Sequence, residues 1–170
     1  MGWLSKLFRN EPPPDAIEHS LSEIQARALL ALLLPQLEML GLELEKVPAV
    51  GSFASKRSRG YIYGLAAAVL GVTTRQQDAG MAEDIMQAAF TLVWGQANAQ
   101  ALFERTLAES AARDGETLAG SYRAETEIGE LYSGKPNAPA MGFWLLNNGL
   151  NDPDEIMPAI ENPRPSPPGP

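Results

Sequence analysis

Apolar positions in this chain recur three and four apart, and no stretch alternates with the period of two that a strand requires. The pattern predicts an all-α fold, a single-domain helical bundle of four main helices with short flanking helices, within residues 15–150. The first main helix is expected to start near Ser20, where Ser20 and Glu23 are spaced as in a capping box. It runs through Ile24, Leu29, Leu33 and Leu37 to Gly41. Residues 28–34 are apolar on every side, which predicts a fully buried element, and Pro35 predicts a kink by removing the bond to Ala31. A loop over 42–58 leads to a second helix from Gly60 to about Thr74. The longest helix is expected from Met81 to Ala112, with Ile85, Ala89, Leu92, Phe103 and Leu107 as its core stripe. A fourth spans Glu116 to Ser133 before Gly134-Lys135-Pro136, and a short helix covers Met141 to Leu146.

The second helix carries the most informative spacing. Gly60, Gly64, Ala67 and Gly71 fall at i, i+4, i+7 and i+11, which aligns them on one narrow stripe. Each glycine costs about 1 kcal/mol relative to alanine, so a compensating close approach is implied. Either another helix backbone or a flat ligand fills the seam. Tyr61, Leu65, Val69 and Val72 give the same helix a second, bulky apolar side, so it is expected to be central.

Two segments stand apart from the body. Over residues 2–10, Trp3, Leu4, Leu7 and Phe8 share one arc, with Ser5, Lys6 and Arg9 opposite, and Pro12-Pro13-Pro14 then stiffens the exit. This is the pattern of a docking element for a membrane surface, for a partner, or for the protein's own surface. Residues 151–170 turn acidic and then proline-rich, which predicts disorder from Asn162 onward. The first residues lack the apolar core of a secretory signal, and Lys6 stands where a myristoylation pattern needs Ser or Thr.

Composition narrows the function. A chain of 170 residues that is 45% hydrophobic suits one domain with a sizeable core. Net charge of −8 and a pI near 4.7 disfavour nucleic acid as a partner, because neutralising phosphates supplies most of that affinity. With no cysteine, thiolate chemistry and cysteine-bound zinc are excluded, and one histidine, His19, leaves little for a triad or a histidine metal site. No metal and no cofactor are expected. The apolar run of the second helix is too short to span a bilayer, so a cytoplasmic protein is expected, with the N-terminal segment as its only membrane contact.

Three side-chain groups are candidate sites. Lys56, Arg57 and Arg59 precede a helix N-terminus and form a candidate anion site, although the surrounding residues lack the second glycine of a P-loop. Glu125 falls among Leu118, Tyr122, Ile128 and Tyr132, where burial in an apolar face would raise its pKa, while Glu127 is expected to face away. Phe90 and Trp94, with Ala97 and Ala101, form a second apolar stripe on the long helix. Either Phe143-Trp144-Leu145-Leu146 covers it, or it is an interface together with Trp3, Leu7 and Phe8. The reading that follows is a non-enzymatic interaction or adaptor protein, docking or self-associating through apolar helix faces. The alternative is a small ligand-binding protein whose pocket is lined by Gly60, Gly64, Gly71 and Glu125. An enzyme ranks third.

Overall fold

The computed structural model describes residues 16–73, 79–134 and 140–148. The segment with Trp3, Leu7 and Phe8, the His19 side chain and the tail beyond 148 lie outside the described residues. Six α-helices and no strand are found among those described: α1 (Ala16–Met39), α2 (Lys56–Thr73), α3 (Ala79–Trp94), α4 (Gln96–Ala111), α5 (Gly115–Tyr132) and α6 (Gly142–Asn147). A 3-10 turn, Gly51–Ala54, precedes α2. Helix α2 is the axis of the fold, and each of the other five helices packs against it.

Local signals explain several boundaries. α1 ends in a Schellman motif. Gly41 turns left-handed at φ +69, its N–H reaches Glu38 O, and the Leu42 N–H reaches Leu37 O at 2.9 Å. α5 starts at Asp114, whose carboxylate accepts from Thr117 N. At the other end of α1 the backbone is already helical at Ala16, four residues before Ser20, so the spacing of Ser20 and Glu23 does not mark the helix start. Pro35 lies inside α1, and both Pro35 and Ala31 are on its exposed side, where water can reach the carbonyl that lost its donor. Burial over 28–34 is one-sided. Leu29 and Leu33 are buried, but Leu34 and Ala31 are exposed, because α1 packs on α2, α3 and α6 from one side.

The expected long helix is two helices, which makes five main helices rather than four. Gly95 stands at φ +73, a conformation closed to most side chains, and an added Cβ would lie 2.7 Å from Glu45 O. The break frees the last carbonyls of α3, and each finds a donor. Thr91 O takes Gly95 N, Leu92 O takes Glu45 N at 2.8 Å, Val93 O takes Val47 N, and Trp94 O takes Asn98 Nδ2. The loop between α1 and the 3-10 turn thus secures the corner.

Phe90 and Trp94 are core residues, not an interface: both are essentially inaccessible. Phe90 meets Trp94 and Phe103 at ring distances of 5.1 and 5.4 Å, and Phe143 of α6 closes over Trp94 at 6.3 Å. Ala97 and Ala101 lie on the exposed side of α4.

Candidate interaction surface

The first half of the glycine seam is filled by α5. A Cβ on Gly60 would lie 2.1 Å from Thr117 O, and one on Gly64 would lie 2.5 Å from Ser121 O. Gly120 answers from α5, where a Cβ would meet Arg57 O at 2.1 Å. Backbone therefore touches backbone at this crossing, and only glycine fits. The register also shows that α2 and α5 run parallel, since Gly60 faces Thr117 and Gly64 faces Ser121.

That close contact decides which side of α5 turns inward. Its buried side is Thr117, Gly120, Ala124, Glu127 and Ile128, mostly small residues, whereas Leu118 and Tyr122 are exposed. Glu125 is exposed too, its carboxylate accepting from Ser121 Oγ, and the burial expected for it belongs instead to Glu127, which is 6% exposed. Large residues were read as the core face, but a backbone-to-backbone crossing selects the smallest ones.

Glu127 anchors a buried network. Tyr61 Oη donates to Glu127 Oε2 at 2.8 Å, and the same oxygen accepts from Met141 N and Gly142 N, both at 3.1 Å. Gln36 Oε1 accepts from Phe143 N at 2.8 Å and from Trp144 N at 3.3 Å. Two side chains thereby satisfy the free N–H groups at the start of α6 and hold it on α1, α2 and α5. Burial first, and then the Glu127 carboxylate, push the Tyr61 hydroxyl well above its ordinary pKa of 10.0.

The candidate anion site is already occupied by carboxylates of this chain. Lys56 Nζ meets Asp114 at 2.5 Å, Arg57 meets Glu116 at 2.5 Å, and Arg59 Nη2 meets Glu109 at 2.8 Å. Arg59 is 1% exposed, and its remaining donors reach Ala54 O and Thr106 Oγ1, both at 3.0 Å. Although burial opposes ionisation of Glu109, the Arg59 hydrogen bond and charge hold its carboxyl below the ordinary range. Asp114 is lowered by its bond to Lys56 and by the Thr117 N–H. The parallel arrangement explains the cluster. It brings the positive ends of two helix dipoles together with three cations, and acidic residues at the α4–α5 corner neutralise them.

At the opposite end of the parallel pair the described residues leave apolar surface exposed. Gly71 is exposed and a Cβ on it would meet nothing within 4 Å, although it lies on the same stripe as Gly60 and Gly64. The register puts Gly71 level with Ile128 and Leu131 just past the end of α2. Val72 is 44% exposed, Leu131 41% and Tyr132 59%. α1 runs antiparallel to α2, with Gln25 Nε2 bonded to Thr73 Oγ1 at 3.2 Å, which brings Ile24, 52% exposed, to the same end. Here two helix C-termini lie side by side, neither with a basic residue in its last turn. The site residues of the sequence reading are thus dispersed: Gly60 and Gly64 are covered by α5, Gly71 is exposed at the far end, and Glu125 is in solvent.

Among the described residues no group of three or more His, Asp or Glu is gathered so as to hold a metal ion, and no helix is long and apolar enough to cross a membrane. Comparison with protein-family models, curated proteins and solved structures finds no match to this chain.

Proposed function

We propose that this protein is a non-enzymatic interaction module that receives a cationic, amphipathic helix of a partner protein at the end of its bundle where α2 and α5 finish. The observation that carries this reading is the exposed apolar surface of Gly71, Val72 and Leu131 at this end of α2 and α5, beside two helix C-termini with no basic residue in their last turns. A helix docking on this surface buries its apolar side against Val72 and Leu131, while its cations meet the negative dipole ends. A second copy of this chain fits less well, because net charge of −8 sets two copies against each other. The small-ligand reading needs Gly60 and Gly64 to be accessible, and helix backbone lies on both. A cytoplasmic setting accords with a chain that holds no cysteine.

A dansyl-labelled amphipathic peptide of leucine and lysine at helical spacing is the probe. Fluorescence anisotropy at low salt is expected to show binding to the full chain. The double variant Val72→Lys/Leu131→Lys should bind at least about tenfold more weakly, with an unchanged melting temperature because both side chains are already half in water. Equal affinity for both proteins, or equal affinity for a peptide with glutamate in place of lysine, would overturn the assignment.

A further inference from the structure

We infer that the outward side of α5 is a second docking surface, for a partner helix that sets one arginine within an apolar stripe. Leu118, Tyr122, Glu125, Gly129 and Tyr132 fall at i, i+4, i+7, i+11 and i+14. At about 100° per residue they share an arc of roughly 80°, and all five are exposed. The backbone crossing with α2 is the cause, because it turns the glycine and alanine side of α5 inward and leaves large residues outside. Leu131 lies roughly 140° around the helix from this arc. The two surfaces are therefore distinct, and this one does not depend on docking at Val72 and Leu131.

Two features of the stripe go beyond apolar exposure. The first is charge. Glu116 is paired with Arg57 and Glu127 with Arg123, whereas Glu125 meets no cation among the described residues. Its Oε1 takes the Ser121 hydroxyl at 3.2 Å, and Oε2 has no donor among the described residues. The Tyr122 ring stands one turn before this carboxylate and is 64% exposed. That pair suits a guanidinium in particular, since its plane stacks on an aromatic face while its fork bonds a carboxylate. A second copy of this chain offers a carboxylate where the site needs a cation. The second feature is space. Glycine weakens a helix relative to alanine, and at Gly60, Gly64 and Gly120 a backbone contact explains it. At Gly129, one turn after Glu125, an added Cβ meets nothing within 4 Å, so the described fold itself does not require glycine there. Bare backbone at this point lets a partner helix come close enough for its arginine to reach Glu125 while its apolar side covers Tyr122 and Leu118.

The test uses the full chain and three dansyl-labelled helical peptides, each with a leucine stripe in a background of alanine and glutamine. The middle of the stripe carries arginine in the first, lysine in the second, and in the third citrulline, which keeps the shape without the charge. In fluorescence anisotropy at low salt, the arginine peptide is expected to bind at least about tenfold more tightly than the citrulline peptide, with lysine between them. Glu125→Gln should remove most of the preference for arginine over citrulline and leave the citrulline affinity unchanged. Tyr122→Leu, which keeps the apolar surface, should remove the preference for arginine over lysine. Gly129→Leu should weaken binding of all three peptides with a melting temperature at or above that of the parent, so that unfolding does not account for the loss. Equal affinity for the arginine and citrulline peptides overturns the inference, as does the absence of binding. Parent-like binding of the arginine peptide by Glu125→Gln or by Gly129→Leu overturns it too. Loss of that binding in Val72→Lys/Leu131→Lys would assign the peptide to the other surface and leave this one without an occupant.

Discussion

Replacing Gly120 with alanine sets helix propensity against packing. In an isolated helix the change is favourable by about 1 kcal/mol. In this fold the new methyl group would stand 2.1 Å from Arg57 O and 2.7 Å from Tyr61 N. Ordinary contact begins at 3.4 Å, so α2 and α5 must part by roughly 1 Å. A gap of that size forfeits about a quarter to a half of the dispersion attraction across the crossing. The obstacle is mid-helix backbone, which cannot swing aside as a side chain does. Overpacking costs about 1–3 kcal/mol, and this geometry belongs at the upper end, leaving a net loss of about 2 kcal/mol after the propensity gain. Gly129→Ala, in the same helix, meets nothing within 4 Å and should collect the gain alone. Urea unfolding followed by circular dichroism compares the two. With a slope of about 2 kcal/mol per molar urea, Gly120→Ala should move the midpoint down by about 1 M and Gly129→Ala up by about 0.5 M. A Gly120→Ala midpoint at or above that of the parent would show that the helices do not touch through this glycine.

The remaining predictions concern the two buried networks and the corner. Glu109→Gln leaves the enclosed Arg59 guanidinium without its counter-charge and is expected to cost about 3 kcal/mol, whereas Glu116→Gln, at an exposed pair, should cost less than about 1 kcal/mol. Equal losses in denaturant melts would mean that Arg59 is not sealed from water. The raised pKa of Tyr61 makes its contribution to stability complete below about pH 10, because above that the unfolded chain ionises first. Stability should then fall by up to about 1.4 kcal/mol per pH unit, and Tyr61→Phe should flatten that limb; an unchanged slope in alkaline melts refutes the assignment. Gly95→Ala combines a left-handed φ with a clash against Glu45 O and should destabilise by about 1–3 kcal/mol, which thermal melts would show. A neutral result would place no corner there.

The helical class, the central role of α2 and the stops at Gly41 and Gly134 were legible in the sequence, because they follow from apolar spacing and from glycine's freedom at a left-handed cap. The small-residue stripe was legible as a place of close approach. What approaches it was not: α5 lies more than fifty residues downstream, and nothing local to Gly60 or Gly64 names Thr117 or Ser121. Size then misled the reading of α5 itself. Leu118 and Tyr122 look like a core face until a backbone crossing demands glycine and alanine, and the carboxylate in the interior becomes Glu127 instead of Glu125. The break at Gly95 was equally hidden, since apolar spacing continues through it and an isolated glycine can sit within a helix. It is the arriving loop, offering Glu45 N and Val47 N to freed carbonyls, that makes the corner stable. Lys56, Arg57 and Arg59 looked like a site for an outside anion because their partners, Asp114, Glu116 and Glu109, are brought to them only by the parallel packing of α2 and α5. Periodicity along a chain determines which residues share a helix face. Which face is covered, by what and how closely, is decided when helices distant in sequence meet.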